Sequence, residues 1–192
     1  QMSFGESVDN GRKNEYSAPL SLKTHAASYP ISFHARWLRD DSGGLTLEQV
    51  RATEDDAWRP ARIERLNFGI NRSAYWLHFT VMARDTSRDW LLDSDNPRLH
   101  HIDLYLPGER EQAIEGGIAR PIGQRPLRNR MQSFILPLET DRPLELYLRV
   151  QTQSHSVFPF YIESRENFAR RDRTVSVYYT AYFSLLGLAL IA

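Results

Sequence analysis

The sequence predicts an all-β domain, an antiparallel β-sandwich or jelly roll with one short helix, followed by the start of a transmembrane helix. Three observations carry this. Short runs of alternating apolar and polar residues recur, with turn residues between them. A Thr46-x-x-Gln49 capping box after Gly43-Gly44 marks a helix start. After Arg173 no charged residue appears again.

Taken in order, residues 1–28 are polar and broken by Gly5, Asn10-Gly11 and Pro19, with no apolar core of a signal peptide. They read as a flexible leader; either a signal peptide has been removed or none existed, and a start on Gln favours a trimmed chain. The sandwich is expected over 29–165. Its clearest strands are Tyr75 to Met82, His101 to Leu106 and Leu144 to Val150, each alternating and rich in aromatic or branched residues. Weaker strands are Ile31 to Leu38, Trp90 to Asp93, Ser133 to Leu138 and Phe158 to Glu163. Pro97, Pro107-Gly108, Gly116-Gly117, Pro121, Pro126 and Pro143 punctuate them. The one helix is placed near Leu47 to Thr53. Residues 166–173 form a juxtamembrane connector, and 174–192 is an uncharged run of 19 residues. As a helix it would reach roughly 28 Å, close to the ~30 Å of bilayer hydrocarbon. Tyr178, Tyr179, Tyr182 and Phe183 at its start suit an interfacial aromatic belt. Arg170, Arg171 and Arg173 before it would vote for a cytoplasmic N-terminal side, a rule that weakens for long domains.

Composition removes several functions. The 192 residues carry 24 basic and 24 acidic groups, so the excess positive charge that drives nucleic-acid binding is missing. All the basic residues except Lys13 and Lys23 are arginines, as codon bias in a high-GC genome would produce. The absence of cysteine excludes a disulfide framework, a thiolate nucleophile and a Cys-based zinc site, and fits cytosol and periplasm equally. His100 and His101 are neighbours on a strand, point to opposite faces and cannot share one ion; His25, His34, His78 and His155 lack ligand spacing. No metal and no cofactor is implied. No hydrolase elbow, phosphate-cradling loop or dinucleotide fingerprint is present. Asp93, Asp103 and Glu145 could converge as a glycosidase pair, but no spacing compels it. This segment reads as non-enzymatic.

Strand phase separates a core from a candidate site. Leu77, Phe79, Val81, Ile102, Leu104, Leu106, Leu144, Leu146, Leu148 and Val150 share the core face. The opposite face carries Trp76, His78, Thr80, Asp103, Tyr105, Glu145, Tyr147, Arg149 and Gln151. Rings for the apolar faces of sugars, with guanidinium and amide groups for hydroxyls, suit a carbohydrate or small polar ligand. The same side chains could instead pack beneath loops or pair across strands. A second basic stretch, Gly116 to Leu138, holds Arg120, Arg125, Arg128 and Arg130 with no acid. It could bind a carboxylate, sulfate or phosphate, or pair with Glu109, Glu111 and Glu115 upstream.

Several short motifs in a fixed order carry a family resemblance. They are Trp37-Leu38-Arg39-Asp40, Gly44 to Val50, Leu66-Asn67-Phe68-Gly69, Ser73 to Phe79 and Trp90-Leu91-Leu92. Ile102 to Tyr105, Gly123 to Pro126, Phe134 to Leu138 and Leu146 to Gln151 follow. Together they resemble the type 2 extracellular domain of bacterial seven-transmembrane receptors with diverse intracellular signalling modules, the 7TMR-DISM family, over about residues 30 to 165. The resemblance implies a periplasmic jelly roll similar to carbohydrate-binding modules on an inner-membrane protein. Seven membrane helices and a histidine kinase, diguanylate cyclase or phosphatase output would follow. RetS-like hybrid sensor kinases and their cyclase-linked relatives share this layout.

The expected function is therefore periplasmic ligand sensing in a membrane-bound signal-transduction receptor of the two-component or cyclase type. The ligand-binding residues expected are Trp76, His78, Tyr105, Arg149 and Gln151, with Arg125, inside the matched Gln124-Arg125-Pro126, as an anionic contact. Trp37 is a further candidate that core packing also explains. The partners expected are a carbohydrate or organic anion and the inner membrane. The alternative is a protein-interaction module that docks a second receptor copy or a periplasmic protein.

Overall fold

The structure, a computed structural model, describes residues 18–23, 28–107, 113–121, 123 and 132–171. In chain order the strands are β1 (Leu20–Leu22), β2 (Ser28–Pro30), β3 (Arg36–Asp40), β4 (Arg59–Pro60), β5 (Leu66–Ile70), β6 (Ala74–Ala83) and β7 (Trp90–Ser94). After them come β8 (His101–Tyr105), β9 (Ala113–Gly116), β10 (Gln132–Leu136), β11 (Leu144–Gln151), β12 (His155–Phe158) and β13 (Phe160–Ser164). A seven-stranded sheet runs β4-β3-β6-β11-β8-β9, with β1 also on β6, and a four-stranded sheet runs β10-β7-β13-β2. Among the named strands all pairings are antiparallel except the parallel contact of β1 with β6.

Both sheets feed one hydrophobic core. The larger contributes Tyr75, Leu77, Phe79, Val81, Ile102, Leu104, Leu146, Leu148 and Val150. The smaller contributes Trp90, Leu92, Phe134, Leu136, Phe160 and Ile162. The predicted phase of the three main strands is thus the observed one, because a strand's period of two commits its whole apolar set to one side. A third, two-stranded sheet of β12 and β5 brings Phe68 and Phe158 to the core. Phe68 stacks on Tyr75 with centroids 4.0 Å apart, and Trp37 meets Phe68 edge-on at 4.7 Å. Trp37 therefore packs with the core.

The helix forms where its box predicts it: α1 spans Leu47–Arg51, with the Thr46 and Gln49 side chains capping each other's backbone N–H. Other elements differ from expectation. Ile31–His34 is a 3-10 turn following Pro30, and both Ile31 and Ser32 are buried, so period two fails there. The Ser32 hydroxyl donates to the Glu64 carbonyl, which anchors the turn. The expected Phe158–Glu163 strand is divided by Pro159, which has no N–H to give a ladder; β12 and β13 join different sheets. Leu20 and Leu22, inside the stretch read as leader, are buried in β1. Residues 1–17 lie outside the described residues, as does the run 174–192. Among the described residues no helix is long and apolar enough to cross a membrane. Residues 165–171 form a short helix that the sequence reading did not place.

Candidate functional site

The outer face of the larger sheet collects the predicted residues through its register. One row across five strands reads Leu38, Trp76, Arg149, Asp103, Glu115. The next reads Arg36, His78, Tyr147, Tyr105, Ala113. Gln151 stands opposite His101 and Ala74 in a third. Five of the six expected ligand residues thus share one surface, and Arg125 lies outside the described residues, as do Arg128 and Arg130.

Half of this surface is roofed. The chain between β3 and β4 returns over it, and Leu47 and Val50 of α1 with Trp58 form a second apolar cluster with Leu38, Trp76 and Tyr147. Trp76 is wholly buried, and its indole N–H has no hydrogen-bond partner among the described residues. Burying rings of this size stabilises by about 2–3 kcal/mol each, which explains why the roof sits here. The packing alternative for outward aromatics thus describes Trp76 and Tyr147. Leu47, Val50 and Trp58 in the roof, and Leu38 beneath them on β3, are what the sequence reading missed. The spacing of Leu47 and Val50, i and i+3 on a capped helix, was the available signal.

Roof and sheet are joined by charge-assisted bonds. Asp40 accepts from the Ser42 hydroxyl at 2.6 Å and from the N–H groups of Gly43 and Leu45 at 2.8 and 3.0 Å, shaping the turn that feeds α1. These bonds hold its carboxyl below the usual range even though burial, the largest single influence, pushes upward. Arg149 donates to the Gly43 carbonyl at 2.7 Å, to Gln151 Oε1 at 2.9 Å and to Asp103 Oδ2 at 3.2 Å. The Gln151 amide donates to the Arg72 carbonyl at 3.1 Å.

Beside the roof runs a polar strip. Asp103 lies between Arg149 and Arg120, whose Nη2 is 3.1 Å from Oδ1. Burial pushes the Asp103 carboxyl up, and the two guanidinium groups pull against it. Arg120 also donates to Glu115 at 2.7 Å, as the upstream-pairing alternative for the basic stretch anticipates, and its Nη1 stands 3.3 Å from His101 Nδ1. Tyr105 stacks obliquely on Trp76 at 5.3 Å and is half-buried at the roof's edge. His100 faces the other way, with Nδ1 2.8 Å from the Thr152 hydroxyl.

His78 occupies a separate chain of contacts. Arg36 donates to its Nδ1 at 2.8 Å, so Nε2 carries the proton and donates to Glu145 at 2.6 Å. The ring stacks on Tyr147 with centroids 4.4 Å apart. Burial lowers its pKa, with Arg36 adding to the effect and Glu145 opposing it. Glu145 and Asp103 stand in different rows, and Asp93 lies on the other sheet, so the three carboxylates weighed as a catalytic set do not converge.

In chemical terms the strip can present an aromatic edge, two guanidinium groups and an amide to a polar ligand. In comparison with known families, the family described as 7TMR-DISM extracellular 2 matches residues 33–164. No curated protein matches the chain.

Proposed function

The chain belongs to the 7TMR-DISM extracellular 2 family, extracellular sensor domains of seven-transmembrane receptors that are not themselves catalytic, and we propose that it senses a carbohydrate or small organic anion in the periplasm of a bacterium. The reading rests on one observation above all: Tyr105, Arg149 and Gln151, from two adjacent strands, meet beside Asp103 and Arg120 at the margin of the roof. Tyr105 offers a ring face, while the guanidinium and amide groups offer donors for hydroxyl or carboxylate oxygens. His78 lines the far side of the roof, and Trp76 backs the Tyr105 ring from below. Arg125 is the proposed additional anion contact. We read the facing sheets as the jelly roll of carbohydrate-binding modules, and the residues after Arg173 as entry to the first of seven inner-membrane helices. The output would be a histidine kinase or cyclase.

Ligand bound at the strip would favour one placement of the roof, and by linkage the receptor state that has it. Thermal-shift screening of the chain against neutral sugars and organic anions tests this. A hit that raises the melting temperature, and that Tyr105→Ala and Gln151→Ala abolish, is the expected result. No hit, together with a mass that rises with concentration in ultracentrifugation, would replace this reading with the second one. That reading is a protein-interaction module, favoured by the burial of Trp76 and Tyr147 under the roof.

A further inference from the structure

The opposite sheet carries a charged cluster that ligand sensing does not use. Asp93 on β7 and Glu163 on β13 share the outer face of the four-stranded sheet as diagonal neighbours, Asp93 pairing with Tyr161 and Glu163 with Leu91. Their side chains are 0% and 4% exposed. The Ser133 hydroxyl donates to Asp93 Oδ1 at 2.6 Å from β10. The cation comes from outside the sheet. The chain leaves β13 at Ser164 and turns into the helix 165–171, whose far end brings Arg171 onto both carboxylates. Arg171 donates to Asp93 Oδ2, and its Nη2 lies 2.8 Å from Glu163 Oε1. The near end of the helix is held separately: the Arg165 N–H donates to the Asp89 carbonyl at 2.9 Å, and Glu166 pairs with Arg88 at 3.3 Å.

Charge counting makes this cluster conditional. Two ionised carboxylates against one guanidinium leave a buried negative charge without a partner among the described residues, and burial of an uncompensated charge is strongly unfavourable. One proton on the pair removes the excess. Among the described residues, the other groups facing it do not supply that charge. Ser133 and, from β2, Ser28 are neutral, and Tyr161 beside Asp93 donates its hydroxyl to Glu64. Asp95 adds negative charge and is drawn toward Arg65 at 3.8 Å. On the helix, Asn167 is neutral and Arg170 is exposed.

We propose that Arg171, Asp93 and Glu163 form a proton-dependent latch, which seats the helix 165–171 on the four-stranded sheet while the carboxylate pair holds one proton and releases it when both ionise. Burial drives the Glu163 carboxyl up to about 7, against the pull of Arg171 and with Asp93 and Asp95 adding to the rise. An undocked, hydrated Glu163 returns toward its ordinary value of 4.5. The seated form therefore binds the proton more tightly, so acid favours it and the advantage is lost as pH climbs through about 7. The helix is the segment that leads toward the uncharged run 174–192. That this motion reaches a membrane rests on the receptor reading above; the latch does not.

Hydrogen exchange of the full 192-residue chain in detergent micelles tests it. Protection of the 166–171 amides, corrected for intrinsic exchange, is followed from about pH 5 to about pH 8. Protection should fall by roughly threefold or more per pH unit up to near neutrality and then level. Glu163→Gln, neutral at every pH and matched in size, should flatten the profile at the protected level; Arg171→Gln should lower protection throughout. A wild-type profile that does not change with pH, or a Glu163→Gln profile that keeps the wild-type slope, would overturn the latch. Neither result depends on any ligand, so the sensing proposal stands or fails separately.

Discussion

Arg149 donates a hydrogen bond to the carbonyl of Gly43 at 2.7 Å, across 106 positions of sequence. The same guanidinium holds Asp103 and Gln151. One side chain thus fastens the roof to the sheet and orients the polar strip.

Arg149→Ala should reduce ligand response and also stability. The three bonds lost are charge-assisted and largely shielded, and about 1.5–3 kcal/mol is expected. At ~2–4 °C per kcal/mol for a chain of this length, a melt followed by circular dichroism would resolve it. Arg149→Lys should retain charge but not the three-way geometry, and should fall between the two. An unaltered melting temperature in the alanine variant would contradict the fastening role.

Two glycines at positive φ should respond very differently to alanine. Gly117 (φ +102°) would place a Cβ 2.1 Å from the His100 carbonyl oxygen, a backbone clash that nothing can relieve locally. Gly69 (φ +70°) has open space around the same position. Gly69→Ala should cost about 1 kcal/mol for the left-handed backbone alone. Gly117→Ala should abolish the native turn and leave little folded protein in a denaturant titration.

The roof should come away before the sandwich unfolds. Leu47→Ala and Val50→Ala remove the side chains with which α1 grips Trp76 and Tyr147. Each truncation of this kind costs about 2–4 kcal/mol when the cavity stays open. Amide exchange in 41–58 should accelerate while that in β6 and β11 stays slow, and Trp fluorescence should shift to the red.

His78 should remain neutral below its ordinary titration point. Its ring proton sits on Nε2, toward Glu145, while Nδ1 accepts from Arg36. Nitrogen NMR should show that tautomer persisting under pH 6.5. Because burial depresses the pKa in the folded state, the stability linked to His78 is present above pH 6.5 and lost as pH falls. This sign is opposite to that of Glu163. His78→Gln should therefore make the chain more acid-tolerant, measurable as a smaller drop in melting temperature between about pH 6.5 and pH 5.

Much of the fold was legible because period-two patterning commits a strand to one orientation. Tyr75 to Met82, His101 to Leu106 and Leu144 to Val150 read correctly in phase, and in extent to within one residue at each end. The elements that escaped are those whose conformation depends on remote partners. Ile31–His34 is held as a turn by a bond to Glu64, and Leu20–Leu22 becomes a strand only because β6 offers an edge. Pro159 was visible in the sequence, but its consequence, two strands sent to separate sheets, was not.

The candidate site divides in the same way. Strand phase alone put Trp76, His78, Tyr105, Arg149 and Gln151 on one surface, since alternation is a local property of the backbone. Nothing local says that the chain between Asp40 and Arg59 folds back over half of that surface, turning Trp76 from a displayed ring into a buried one. Equally, Asp93, Glu163 and Arg171 lie in three separate elements, and their charge imbalance exists only once the helix is seated on the sheet. The sequence by itself determined which side of each strand meets water or core. Tertiary structure decided which of those wet sides stay wet, because burial by a distant segment, and the charge pairing that burial demands, are properties of the packed chain.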